Sequence, residues 1–97
     1  MVNANELIQS EWFNNLLEDV GFNKTSYPKN QIGYIYFLMS KHIHSSVMKS
    51  DTGWWYSGYD ELIEDVFTQD YNDYPNFEIC YNAAIIECMC YLANKKK

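Results

Sequence analysis

The stretch "GWWYSGYDELIEDVFTQDYNDYP", residues 53–75, joins two adjacent tryptophans and several tyrosines to six acidic side chains, and it contains no basic residue. Ser57, followed three residues later by Asp60, resembles a capping box in which Asp replaces the usual Glu. We therefore predict a helix that starts here and buries an apolar stripe at helical spacing, formed by Tyr59, Leu62, Ile63, Val66 and Phe67. The preceding residues 49–58 are typical of a turn-rich loop.

Two helical patterns precede this stretch. The first begins at Asn3 or Asn5 and ends at Gly21, because a glycine followed by an apolar residue is typical of a left-handed helix end. The second is capped by Asn30 and continues to Val47 with apolar residues along one face. A strand is an alternative for its first half, but the continuing stripe favours a helix.

A last helical pattern lies near the C-terminus. It begins near Asp73 or Tyr74, with Pro75 in the first turn, where the missing N–H costs nothing. Residues 77–92 are apolar on nearly every side, which is typical of a central helix. The sequence thus predicts one all-α domain over residues 1–97, a compact bundle of four to five helices with the apolar C-terminal helix at its centre.

Acidic residues are concentrated in the second half of the chain. The net charge is −6, and residues 50–94 contain nine acids and no base, whereas residues 1–49 contain four of each. Direct binding to nucleic acid or to an anionic membrane requires Lys or Arg to neutralise phosphate, so both are disfavoured. The charge distribution favours a basic protein partner.

Residues that could carry catalysis or bind a metal are sparse. His42 and His44 are two residues apart on a predicted helix, so they diverge and cannot hold one metal ion. The odd number and the spacing of the three cysteines match neither a disulfide framework nor a zinc site. They are Cys80, Cys88 and Cys90. We therefore predict that the protein is not an enzyme and that it binds neither a metal ion nor a cofactor. Carboxylates such as Glu61 and Asp65 leave acid–base catalysis as the weaker alternative.

The predicted third helix carries its acids at a cost. Asp60 with Glu64, and Glu61 with Asp65, form like-charge pairs one turn apart, each of which destabilises a helix by about 0.2–0.5 kcal/mol. A merely solvated face is one explanation. Acids beside rings also indicate a protein-binding surface, since Tyr and Trp carry much of the energy of interfaces. The predicted partner-binding residues are Trp54, Trp55, Tyr56, Asp60, Glu61, Glu64, Asp65, Asp70, Tyr71, Asp73 and Tyr74.

The loop 54–56, the acidic run from Asp60 to Asp65 and the apolar final helix resemble small bacterial immunity proteins, in particular those of contact-dependent growth inhibition systems. This resemblance implies that the partner is a basic toxin domain, a nuclease, blocked by the acidic patch. The alternative is a phage-type inhibitor that mimics nucleic acid, such as an anti-CRISPR. The oligomeric state stays open.

A cytoplasmic location is expected. The polar residues Asn3, Asn5 and Glu6 follow Met1 in place of the apolar run of a signal peptide, and the longest apolar stretches are about half the length of a membrane span. Unpaired cysteines fit a reducing compartment.

Overall fold

Three antiparallel strands occupy the middle of the chain, where the sequence predicts helices. The computed structural model describes residues 3–95. Its elements in chain order are α1 (Ala4–Leu7), α2 (Glu11–Val20), α3 (Gln31–Ser40), β1 (Ile43–Lys49), β2 (Trp54–Asp60), β3 (Asp65–Tyr74) and α4 (Phe77–Lys95). The strands form one sheet in the order β1-β2-β3, so the fold is α+β and the all-α prediction is wrong.

The second predicted helix is shorter than expected. It ends at Ser40 rather than at Val47, and residues 43–49 form β1. Ile43 lies opposite Asp60, and Val47 lies opposite Tyr56 in β2. A local apolar stripe cannot reveal these partners, because they are distant in sequence.

The third predicted helix is absent. Residues 54–74 form a β-hairpin, in which a four-residue turn joins β2 to β3. Leu62, Ile63 and Val66, expected to be buried, are instead 63, 57 and 43% exposed. Aromatic and β-branched residues fit a pleated, half-buried surface, and their cross-strand contacts outweigh the local capping signal.

The ends of α2 and α3 follow local signals. Ser10 Oγ accepts a hydrogen bond from the Phe13 N–H at 3.2 Å, which caps α2 and divides the first predicted helix in two. Asn30 Oδ1 accepts one from the Gly33 N–H at 2.9 Å, which confirms the predicted cap of α3. Gly21 has a φ of 78°, as the predicted left-handed end of α2 requires.

The last helix begins later than predicted. Asn76 Oδ1 accepts a hydrogen bond from the Ile79 N–H at 2.9 Å, so α4 starts at Phe77 and Pro75 lies outside it. α4 contacts all three strands and the three other helices. Its central position agrees with the sequence, but much of its surface packs on a sheet. No helix within residues 3–95 combines the length and the apolar character that crossing a bilayer requires.

A bulge shapes the sheet. Gly58 pairs with Thr68, and Tyr59 pairs with Val66, so Phe67 is an extra residue on β3. Phe67 stacks on Tyr91 of α4, with ring centroids 3.8 Å apart. The ring occupies the space above Gly58, where a Cβ atom would lie 2.5 Å from Phe67 Cζ.

Candidate functional site

The two faces of the sheet have different environments. Tyr56 and Asp60 of β2 hydrogen-bond to side chains of α4. Because alternate strand residues point to opposite faces, Trp55 and Tyr59 point away from α4. This places the two adjacent tryptophans on opposite faces of the sheet. Trp54 lies on the helix side, edge-on to Phe77 at a centroid distance of 5.5 Å.

The side of the sheet away from α4, here called the outer face, is rich in rings. Trp55 packs against Tyr71 with ring centroids 4.5 Å apart, and His44 lies 6.3 Å from Tyr59. In the strand register, His44 and Met48 of β1 lie opposite Tyr59 and Trp55. Val66 of β3 lies opposite Tyr59 on the other side of β2. The outer face is defined by His44, Met48, Trp55, Tyr59, Val66 and Tyr71. All six are half-buried or exposed, so this face is open to solvent within residues 3–95.

Acidic side chains flank the outer face at both ends. Glu61, in the β2–β3 turn, has its Oε2 atom 2.8 Å from His44 Nε2 and 3.7 Å from His42 Nδ1. Hydrogen bonding to His44, reinforced by the charges of both histidines, lowers the pKa of Glu61. Glu64 is exposed in the same turn, and Asp73 is exposed at the other end.

The histidines were predicted to diverge on a helix, and this prediction is wrong. They converge on one carboxylate because residue 42 leaves α3 with a φ of 65° and residue 44 lies in β1. Even so, no group of three potential ligands within residues 3–95 is arranged to hold a metal ion.

Asp60, one of the predicted partner-binding residues, is buried rather than at the surface. It is 0% exposed, and its Oδ2 accepts hydrogen bonds from Lys95 Nζ at 2.7 Å and from the Tyr91 hydroxyl at 2.6 Å. Its Oδ1 accepts a third from the Leu62 N–H at 3.0 Å. Burial by itself raises the pKa of Asp60, but the hydrogen bonds from Lys95, Tyr91 and Leu62 lower it to about 2. Asp60 therefore attaches the end of α4 to the sheet.

Three further predicted site residues face the helix side. Tyr56 is 2% exposed and donates a hydrogen bond to Glu87 Oε2, while the Thr68 hydroxyl donates to Glu87 Oε1 at 2.7 Å. The Tyr74 hydroxyl donates to Asp70 Oδ2 at 2.8 Å. Burial and the paired carboxylate raise the pKa of Tyr56 far above its usual range and that of Tyr74 to about 12. Both phenols therefore keep their protons at neutral pH.

The structure thus divides the predicted surface. Trp55 and Tyr71 meet on the outer face, and the exposed acids Glu61, Glu64 and Asp73 lie at its ends. Asp65 is exposed at the start of β3. The helix side holds the remaining predicted residues, which are Trp54, Tyr56, Asp60, Asp70 and Tyr74.

Sequence reasoning missed several members of both faces. It assigned Tyr59 and Val66 to the core, gave Met48 no role and left Glu87 out of the partner-binding residues. Residues 43–49 and 54–60 do not alternate regularly between apolar and polar side chains, so the turn residues Asp51 to Gly53 between them are the local signal for a hairpin. Glu87 is the only charge in the middle of an apolar helix, which indicates that it has polar partners on the facing sheet.

The cysteines are free and shielded. Cys80 and Cys88 are buried, and Cys90 is half-buried. Burial raises the pKa of Cys80 to about 11 and that of Cys88 to about 12. The thiols therefore stay protonated near neutral pH and pack as small apolar groups.

Comparison of the chain with known protein families, with curated proteins and with solved structures found no match.

Proposed function

We propose that the protein is an inhibitor of the immunity type, which binds a basic toxin domain through the outer face and its acidic ends. The observation that carries this proposal is the solvent-open cluster of rings on one side of the sheet. Trp55, Tyr59 and Tyr71 present large, stiff side chains of the kind that dominate binding energy.

The charge distribution supports a basic partner. Glu61 and Glu64 lie at one end of the outer face, and Asp51 and Asp73 are exposed near the other. Acids around an aromatic centre steer a positively charged partner and accelerate its association. A nuclease domain is the partner we propose, because its substrate-binding surface must be basic.

The proposal includes a cytoplasmic location. All three cysteines of the chain are free, which is the state that a reducing compartment maintains. The contribution that we propose is binding rather than catalysis, and it is supported by the shielded thiols and by the phenols of Tyr56 and Tyr74, which keep their protons at neutral pH.

The test replaces Trp55 and Tyr71, whose rings are in contact on the outer face. A Trp55→Ser/Tyr71→Ser variant removes the aromatic centre, and Tyr36→Ser is the matched control, because Tyr36 is 57% exposed on α3. Each protein is immobilised and used to capture partners from the native host. The captured partner is then purified, and its nuclease activity is measured with increasing amounts of each protein.

We expect wild type and Tyr36→Ser to capture and inhibit a basic nuclease. In the Trp55→Ser/Tyr71→Ser variant, the affinity for the nuclease and the inhibitory potency should each fall by at least tenfold. A second variant, Glu61→Gln/Glu64→Gln, should weaken binding more at low salt than at high salt. Equal inhibition by the outer-face variant, or a captured partner without nuclease activity, would contradict the proposal. A captured partner that DNA displaces and that belongs to a nucleic-acid-guided complex would favour the nucleic-acid mimic instead.

A further inference from the structure

A groove of about 780 Å³ lies on the helix side of the sheet, between α1, the end of β3 and one side of α4. Its walls are mainly apolar, and they include Leu7, Ile79, Ala83 and Ile86. Its size lies within the range of about 300–1,000 Å³ that is typical of small-molecule sites. The groove and the outer face are on opposite sides of the sheet, so a ligand here is independent of the partner proposed above.

Two carboxylates stand in the wall of this groove. Asp70 accepts hydrogen bonds from the Tyr74 hydroxyl and, at 2.9 Å, from the Asn72 N–H. Glu87 accepts from Tyr56 and Thr68. These donors are all neutral, and no ion pair reaches Asp70 or Glu87 within residues 3–95. Each oxygen has a further lone pair available for a cationic donor.

Two phenol rings stand beside the carboxylates. The rings of Tyr56 and Tyr74 lie with centroids 5.9 Å apart and planes tilted by 41°. Both Asp70 and Glu87 act electrostatically on Tyr56, so their fields overlap at this end of the groove. Carboxylates together with the face of an aromatic ring are groups that bind an ammonium ion in proteins, and the half-buried Tyr74 is the accessible ring here, because Tyr56 is only 2% exposed.

We propose that the groove binds a small organic amine, whose ammonium group lies against Asp70 and Glu87 and whose apolar body lies against α1 and α4. A neutral apolar molecule would desolvate two carboxylates without supplying an opposite charge, which is unfavourable. A polyamine without an apolar body would leave the apolar wall uncovered. A carboxylic acid would be repelled.

The test uses three probes that share an indole body: tryptamine, the neutral alcohol tryptophol, and indole-3-propionate. Binding to the full chain at pH 7 is measured by calorimetry and by shifts of backbone amide resonances. We expect tryptamine to shift the amides of Ala83 and Ile86 and to bind at least tenfold more tightly than tryptophol, because one charge-assisted hydrogen bond is worth that factor. Indole-3-propionate should bind more weakly still.

Asp70→Asn and Glu87→Gln remove each charge but keep an acceptor for the neighbouring phenol. Each should reduce tryptamine affinity by at least tenfold and leave tryptophol affinity unchanged. Glu18→Gln, at an exposed acid of α2 outside the groove, is the control and should change neither. Equal affinity for tryptamine and tryptophol, absence of tryptamine binding, or an equal loss in the control would overturn the proposal. The probe comparison needs no variant, so it decides the question even if a variant fails to fold.

Discussion

Asp60→Asn is the substitution whose effect the structure defines best. The carboxylate is fully buried and accepts hydrogen bonds from Lys95, Tyr91 and the Leu62 backbone. The fall of its pKa from 3.8 to about 2 corresponds to about 2 kcal/mol of stability at neutral pH, at 1.36 kcal/mol per unit. Asparagine preserves the size, and its one oxygen can still accept from Tyr91, but its amide nitrogen then faces the Leu62 N–H, so the cost combines the lost charge with one lost acceptor.

The measurement is urea unfolding at pH 7 followed by tryptophan fluorescence and circular dichroism. We expect a loss of about 2 kcal/mol, or a fall in melting temperature of roughly 8–16 °C for a domain of this size. Asp65→Asn is the matched control: it is exposed and pairs opposite Asp60, and it should change stability by less than about 0.5 kcal/mol. Lys95→Met should cost much less in the Asp60→Asn background than alone.

The pH dependence of stability provides a second test of the role of the Asp60 carboxylate. The folded pKa of Asp60 lies below its unfolded value, so its contribution is complete above about pH 5. The contribution declines as the pH falls through 3.8 towards 2. The free energy of unfolding of Asp60→Asn should therefore fall less steeply than that of wild type in this pH range. If Asp60→Asn is as stable as Asp65→Asn, or keeps the wild-type acid slope, the role assigned to the buried carboxylate is wrong.

Two further predictions concern packing. Gly58→Ala should destabilise the protein by about 1–3 kcal/mol in urea unfolding, because its Cβ would clash with the Phe67 ring, and a Phe67→Leu background should recover part of the loss. A Gly58→Ala protein as stable as wild type would contradict the bulge geometry. Iodoacetamide at pH 8 should modify Cys90 first and leave Cys80 and Cys88 unmodified until the protein unfolds, as mass spectrometry would show. Early modification of Cys88 would contradict its burial.

The sequence predicted the local helix signals well. The cap at Asn30 and the left-handed end at Gly21 are both present, because each depends on neighbours within four residues. The apolar pattern of the last helix also predicted its central position. These features need no information from distant parts of the chain.

The hairpin was mispredicted for a definite physical reason. Residues 57–67 contain a capping-box signal and an apolar stripe, both of which fit a helix. In the structure these residues form the end of β2, a turn and the start of β3. Pairing with residues 43–49 stabilises β2, and the contact of Phe67 with Tyr91 stabilises β3. Local periodicity does not record either interaction.

For the candidate site too, the sequence reveals some features and only the tertiary structure reveals the others. Composition alone identifies the acidic, aromatic character of residues 53–75, from which we propose a basic partner. Only the tertiary structure shows that Asp60 is a buried anchor, that Trp55 and Tyr71 meet on the outer face, and that Asp70 and Glu87 share a groove on the other side. Pairing sends alternate side chains to opposite faces, and the position of α4 decides which face is covered.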